Sequence, residues 1–353
     1  MRKQAKNMKM MEPKIVFLTN SLTGGGAERA INTLINELHA NLENIFLVTV
    51  KESQEDLVKV LPDVFCLTKG KRWNFLKFIQ AILRFQVFIR KHKVNYLILN
   101  CALPELIGSL VLGSQKLIVV EHASQPWPRK KFLGMLVRRL LILRHSKWVG
   151  VSEHLSVWGT QNDIDAFIPN AIGYDLSVPM SQSPSTGTIK RLVFIGRLSP
   201  EKNPINALRV SHELNLPIVL IGNGILESTL RNYCQQNNIE CEFKGFLEDP
   251  WLEIKTGDLL LIPSLNEGDG LVVIEALYHN MPFLLSNIPA FGRFLFPEKH
   301  YCNSISEYVS KIQFYQTRIE ELRVSNVVRS EIVGARTPGL IAESWIDFLQ
   351  NNT

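Results

Sequence analysis

Lys14-Ile15-Val16-Phe17-Leu18, followed shortly by Thr23-Gly24-Gly25-Gly26-Ala27-Glu28-Arg29, decides the fold. The first run is apolar on both faces, as a strand buried inside a parallel sheet must be. After the glycines, Ile31, Leu34, Ile35 and Leu38 recur at helical spacing. Strand, glycine loop and helix open a Rossmann-like unit, and the phrase is written twice. Arg191-Leu192-Val193-Phe194-Ile195-Gly196-Arg197 runs through Leu198-Ser199-Pro200-Glu201-Lys202-Asn203-Pro204 into a second helical pattern from Ile205. Short apolar runs at 46–50, 96–99, 117–120 and 148–151 alternate with helical segments after the first opening. Runs at 218–221, 242–244, 259–262 and 283–285 do so after the second. This βαβ rhythm predicts an α/β chain of two facing, doubly wound Rossmann-like domains, with a ligand crevice at the carboxyl ends of their strands.

At 353 residues with 46% hydrophobic content, the chain is long enough for two packed cores. Residues 1–13 are polar and basic, unlike a secretory signal, and no apolar stretch reaches the length of a spanning helix. A cytoplasmic protein is expected. The five cysteines (Cys66, Cys101, Cys234, Cys241 and Cys302) are widely spaced without a CxxC pair, which suggests neither a disulfide framework nor a zinc site. Residues 179–187 form a low-complexity loop near the start of the second half, and the domain boundary is placed just before it, around Ile168-Pro169-Asn170.

A second informative stretch is Asn266-Glu267-Gly268-Asp269-Gly270-Leu271-Val272-Val273-Ile274-Glu275-Ala276. It reads as a strand-loop-helix corner in which Gly268 and Gly270 let a ligand approach the backbone and the helix start favours an anion. Glu267 and Glu275 flank that anion site. Carboxylates repel phosphate but accept well from hydroxyls, so the corner suits a ligand with sugar or ribose on one side and phosphate on the other.

The formal charge of +6 is unevenly placed. Residues 64–103 and 122–152 contain no acidic side chain and are rich in Trp, Phe and Leu. On helical spacing Lys77, Arg84 and Lys91 form one stripe. Lys131, Arg138 and His145 form another in the second segment, where Arg129 and Lys130 also lie. An ordinary helix with a solvated basic face explains either segment alone, but two in one half favour contact with an anionic membrane surface. Nucleic acid is not expected as a partner, since no recognised nucleic-acid module is legible.

Taken together in order and spacing, these features resemble the retaining nucleotide-sugar transferases of glycosyltransferase family 4, which have the two-domain GT-B fold. The resemblance rests on Gly24-Gly25-Gly26-Ala27-Glu28-Arg29, Glu121-His122-Ala123, Val151-Ser152-Glu153, Ile168-Pro169-Asn170, Gly196-Arg197 to Lys202, Gly222-Asn223-Gly224, and Glu267 with Glu275. It implies that Glu275 holds the ribose of the donor and Glu267 hydroxyls of its sugar. Arg197 and Lys202 would bind the diphosphate and stabilise the charge that develops as it departs. Backbone amides of Gly270, Leu271 and Val272 would add to that clamp. His122 would sit beside the donor sugar, Gly24, Gly25 and Gly26 near donor and acceptor, and Asn170 at the hinge. Neither a metal nor a cofactor is implied, the nucleotide-sugar being a substrate.

The resemblance also implies that residues 1–168 form an acceptor-side domain and 169–337 the donor-nucleotide domain, with a helix at about 338–353 packing back on the first. Asp269 departs from the family pattern, because an extra carboxylate beside a diphosphate is unfavourable unless it points at the sugar or solvent. The function expected is a retaining, metal-independent hexosyltransferase. It would move a sugar from a nucleoside diphosphate, a UDP-sugar, to a lipid-linked glycan or lipid, peripherally on the inner face of the cytoplasmic membrane, in cell-surface polysaccharide or glycolipid assembly. A soluble acceptor, a non-catalytic sugar-nucleotide-binding scaffold and a dinucleotide-dependent oxidoreductase stand as alternatives. The last is disfavoured, since Gly24-Gly25-Gly26 lacks the G-x-G-x-x-G spacing and the next strand runs into Lys51.

Overall fold

The computed structural model describes residues 13–22, 26–42, 44–52, 64–70, 73–124, 126–127, 130–173 and 187–352. Gly24, Gly25, Arg129 and most of the loop expected at 179–187 lie outside the described residues.

The first half comprises β1 (Ile15–Thr19), α1 (Gly26–Asn41), β2 (Ile45–Lys51), β3 (Phe65–Thr68), α2 (Phe75–His92), β4 (Tyr96–Asn100), α3 (Ala102–Leu110), β5 (Lys116–Glu121), α4 (Lys131–Leu143), β6 (Lys147–Gly150) and β7 (Ala166–Phe167). Its strands form one parallel sheet in the order β3-β2-β1-β4-β5-β6-β7. Every residue of β1 is buried, so its alternating side chains serve two cores. Ile15 and Phe17 face α1, which contributes Ile31, Leu34, Ile35 and Leu38. Val16 and Leu18 belong to the opposite core, with Phe85 of α2, Ile107 of α3 and Leu141 of α4. This is double winding, and the strand order reverses between β1 and β4.

The second half runs β8 (Arg191–Ile195), α5 (Pro204–Leu214), β9 (Ile218–Ile221), α6 (Glu227–Gln236), β10 (Cys241–Gly245), β11 (Asp258–Ile262), α7 (Leu271–Tyr278), β12 (Phe283–Ser286), α8 (Pro289–Gly292), β13 (Tyr301–Cys302), α9 (Ile305–Phe314), α10 (Asn326–Gly334) and α11 (Pro338–Asn351). Its parallel sheet has the order β10-β9-β8-β11-β12-β13. Again two cores flank the sheet, one built on α7 and the other on α5, α6 and α9. Helix α11 crosses back to the first domain, where Ile341, Trp345 and Phe348 join the α1 core and Trp345 meets Phe17 edge to face at 5.9 Å. The two chain crossings touch, since Ile172 N donates to Arg336 O at 3.0 Å.

The expectation of a basic surface stripe fails at Arg138, which is fully buried. It donates to Glu105 of α3 at 3.0 Å and to Glu121 of β5 at 2.7 Å, and stacks near the rings of Trp148 and Trp158. Trp127 Nε1 donates to Glu105 at 2.9 Å and Trp158 N to Glu121 at 3.0 Å. The carboxylates lie 33 and 17 residues away in sequence, so local spacing carried no sign of them. Lys77 and Arg84 are also diverted from solvent, donating to Lys69 O at 2.7 Å and Leu67 O at 2.8 Å. Lys91, Lys130 and Lys131 are exposed.

Removing the guanidinium would leave two carboxylates buried without their cation. The variant Arg138→Met should therefore lose about 3–5 kcal/mol of stability in urea unfolding, a cost far above that of an exposed arginine.

Candidate active site

The carboxyl ends of both sheets face a cleft of about 960 Å³ between the domains. The second domain lines it with Arg197, Lys202, Glu267, Gly268, Gly270, Leu271, Val272 and Glu275, and the first with Gly26, Glu28, Arg29 and His122, among others. The described residues singled out for donor binding are thus brought into one space, while Lys77, Arg84, Lys91, Lys130, Lys131 and Arg138 do not line it.

The corner after β11 is built as follows. Gly270, at φ +66°, is the N-cap of α7 and offers no side-chain cap. A Cβ there would lie 2.9 Å from Phe291, so both the left-handed backbone and the space require glycine. The first amides of α7, on Leu271 and Val272, open on the cleft, where a helix start attracts anions. Gly268 has a different task from the one expected. A Cβ on it would meet the backbone oxygen of His122 at 1.8 Å, so what approaches its backbone is the first domain and not a ligand alone. Gly26 repeats the theme, its missing Cβ lying 3.1 Å from Leu271.

Glu275, in the first turns of α7, is 6% exposed. Arg29 Nη2 donates to its Oε1 at 3.0 Å across the cleft and Trp251 Nε1 to its Oε2 at 3.3 Å. Burial raises its pKa against the opposing pull of Arg29 and Trp251. Glu267 accepts from Ser264 at 2.8 Å and pairs with Lys202. Lys202 is thereby held at the cleft with its charge partly neutralised. Arg197 stands exposed at the mouth, beyond the end of β8.

Asp269 lines the cleft but does not point to solvent, one of the two escapes that the sequence offered. It is 5% exposed and receives Arg336 at 2.9 and 3.0 Å, Arg293 at 2.6 Å and the backbone N of Asn170 at 3.0 Å. Its charge is taken up by these donors at the hinge. Arg293 also donates to Ser152 of the first domain at 2.7 Å, and Ser152 contacts His154 Nδ1 at 2.8 Å. His154 Nε2 in turn lies 3.1 Å from the backbone oxygen of Glu267. The glycine signal at 268 was legible, but the roles of Arg29, Trp251, Arg293 and Arg336 were not. Each acts through a partner more than twenty residues away.

His122 follows β5 with Nε2 3.1 Å from Asn100 Oδ1. In this orientation of the amide Nε2 carries the proton and Nδ1 keeps a lone pair. Burial pushes its pKa down to about 4, with Asp269 acting weakly in the other sense, so the ring is neutral at pH 7.

Two outcomes follow from this geometry. The imidazole of His122 should titrate with a midpoint near 4 by NMR. Because the unfolded chain binds a proton nearer the ordinary 6.5, this residue's contribution to stability is lost as pH falls from about 6.5 to 4. The variant Gly268→Ala should fold yet hold the domains apart, seen as a larger radius of gyration in X-ray scattering and a weakened nucleotide affinity.

Residues 180–305 match the family described as Glycosyl transferases group 1. An uncharacterized glycosyltransferase of Methanocaldococcus jannaschii is 28% identical over 34% of this chain and 32% of its own, so the chain spans about a third of the length of that relative. The GalNAc-alpha-(1->4)-GalNAc-alpha-(1->3)-diNAcBac-PP-undecaprenol alpha-1,4-N-acetyl-D-galactosaminyltransferase of Campylobacter jejuni is 25% identical over 75% of this chain and 77% of its own. Among solved structures, Anabaena HepE in complex with UDP and glucose superposes with a TM-score of 0.75 at 14% identity, covering 96% of this chain and 99% of that one. Two facing parallel-sheet domains with a cleft between them give this chain the GT-B fold, and residues 180–305 of its second domain are similar to the glycosyl transferases group 1 family.

Proposed function

We propose that the chain is a retaining, metal-independent glycosyltransferase that moves a sugar from a UDP-sugar to a lipid-linked glycan, or a lipid, in cell-surface polysaccharide or glycolipid assembly. One observation carries the reading. The cations Arg197 and Lys202 and the start of α7 share a cleft wall with the buried carboxylates Glu267 and Glu275. That wall offers positive charge where a diphosphate departs and acceptor oxygens where ribose and sugar hydroxyls must be held. Glu275 would exchange Arg29 for the ribose, and Lys202 would exchange Glu267 for a phosphate oxygen. Glu267, freed, would accept from the donor sugar, with His122 beside it. Gly26 would bring α1 close to the phosphates.

The lipid-linked acceptor is favoured by the Campylobacter relative, whose name specifies an undecaprenol-linked substrate. The first domain also carries a surface that suits a bilayer. No helix among the described residues is long and apolar enough to cross a membrane. Yet α2 exposes Leu76, Leu83 and Val87, at 73%, 61% and 65%, and α4 exposes Phe132 at 81%. Lys91, Lys130 and Lys131 lie on the same two helices or at their margins. Apolar side chains and basic ones together favour peripheral binding to the inner face of an anionic membrane. In this version of the surface the apolar residues do more than the lysine stripe, because Lys77, Arg84 and Arg138 are engaged elsewhere.

Calorimetry with UDP, GDP, ADP and NAD tests the donor. UDP should bind, and Glu275→Ala should weaken it about 10- to 100-fold, the worth of a hydrogen bond to a charged group. Binding of NAD alone would replace the reading with an oxidoreductase. The membrane arm is flotation with phosphatidylglycerol vesicles against phosphatidylcholine ones. Wild type should float with the anionic vesicles and the variant carrying Leu83→Glu and Phe132→Glu should not.

A further inference from the structure

Cys234 and Cys241 lack the CxxC spacing by which a sequence announces a dithiol, yet the fold brings these two free cysteines together. Cys234 lies in α6 and Cys241 opens β10, the outer strand of the second sheet. The helix ends in a tight turn, with Ile239 N donating to Cys234 O at 3.0 Å and Asn238 left-handed at φ +49°. That turn sends β10 back along the helix. The register is fixed by a contact farther up, where the Arg231 guanidinium sits 4.2 Å from the centre of the Phe243 ring. Arg231 and Cys234 share a side of α6, three residues apart, and Phe243 and Cys241 share a face of β10, two apart. With Arg231 over Phe243, Cys234 falls opposite Cys241, and the two thiols are hydrogen-bonded to each other. Both pack with Leu230 and Phe243 on one core. Cys234 is buried and Cys241 half-buried, so a small reagent reaches the pair from the edge of the sheet. The remaining cysteines lie elsewhere, Cys66 in β3 and Cys101 after β4 in the first domain, and Cys302 in β13 at the opposite edge of the second sheet.

Two thiols in contact can give up two hydrogens for a sulfur–sulfur bond, provided that one of them ionises and an oxidant arrives. The hydrogen bond with Cys241 holds the Cys234 thiol below its ordinary range, and the charge of Arg231 pulls the same way. The same hydrogen bond, together with burial, pushes the Cys241 thiol up. Cys234 is therefore the first of the two to ionise.

We propose that Cys234 and Cys241 are a redox-active pair that a peroxide closes to a disulfide and a dithiol reductant reopens. The Cys234 thiolate attacks one oxygen of hydrogen peroxide, the O–O bond breaks, and the departing hydroxide takes up the proton that Cys234 had lost, leaving a sulfenic acid and a water. The Cys241 sulfur then attacks the sulfenic sulfur while its own proton passes to the departing hydroxyl. A second water leaves and the S–S bond forms. The two sulfurs together lose two electrons, and the peroxide that accepts them ends as two waters. The bridge fastens α6 to the edge strand whose continuation, Phe246 and Leu247, lines the cleft. It takes no part in sugar transfer, and its formation requires neither donor nor acceptor.

The test treats the full chain with hydrogen peroxide, blocks the remaining thiols with N-ethylmaleimide in denaturant and digests the protein with trypsin. Both cysteines fall on the peptide 232–244, between the cleavage sites at Arg231 and Lys244. From untreated protein this peptide should carry a maleimide on each cysteine. After peroxide most of it should carry none and be lighter than the free peptide by two hydrogen atoms, and dithiothreitol should restore both labels. Cys241→Ser should instead leave a sulfenic acid on Cys234 that dimedone captures, while wild type should yield little such adduct. The oxidised protein should unfold in urea at or above the midpoint of the reduced one, because the bridge constrains the unfolded chain. The proposal is overturned if both labels persist after peroxide, or if either cysteine is found joined to a different cysteine or converted to a sulfinic acid in place of the bridge. It is equally overturned if folded Cys241→Ser gives no adduct, or if the oxidised protein unfolds at lower urea than the reduced one. Should the serine variant fail to fold, the wild-type digest and the urea midpoints decide.

Discussion

Asp269 is the charge on which the arrangement of the two domains depends. One carboxylate, almost wholly buried, receives Arg336 at the return crossing, the backbone of Asn170 at the outward crossing, and Arg293 beside α8. Arg293 then reaches Ser152 in the first domain. A buried charge is tolerable when several donors surround it, and costly when any is withdrawn. The hinge is therefore a set of directional contacts and not merely a pair of flexible strands. The same residue sits between Gly268, which touches the first domain, and Gly270, which starts α7. The hinge and the donor corner are consequently parts of one loop.

From that loop the cleft inherits its polarity. The second domain lines the cleft with cations, helix amides and two carboxylates, Glu267 and Glu275, each paired with a cation. Binding a nucleotide-sugar would exchange intramolecular partners for ligand groups and leave no buried charge alone. The first domain lines the cleft with Asn20, Glu28 and Glu52, and its described arginine there, Arg29, is paired with Glu275. Behind that wall Arg138 joins α4 to Glu105 of α3 and Glu121 of β5. Glu105 lines the cleft and Glu121 immediately precedes His122, so a buried ion triad stiffens the elements that carry the site.

Much of this was legible because it is local. Continuous apolar runs such as 15–18 and 259–262 announce buried parallel strands, and the glycines at 268 and 270 announce a turn that tolerates no side chain. The edge strands β3, β7 and β13, of four, two and two residues, escaped notice because so few residues carry no pattern. The basic stripe misled at Arg138 for a related reason. Seven-residue spacing reports which residues share a side of a helix, but which side is solvated depends on what packs there.

The sequence by itself determined the fold class, the two Rossmann-like openings and the chemical character of the corner from Asn266 to Ala276, since strand burial, helix period and glycine turns are properties of neighbouring residues. Only the tertiary structure decided which charges are spent inside the protein and which remain for a ligand. Nothing next to Asp269, Arg138 or Arg29 in the sequence names the charge each one pairs with. Their partners stand 67, 33 and 246 residues away, and ion pairing is settled by distance and burial in space, which no spacing along the chain encodes.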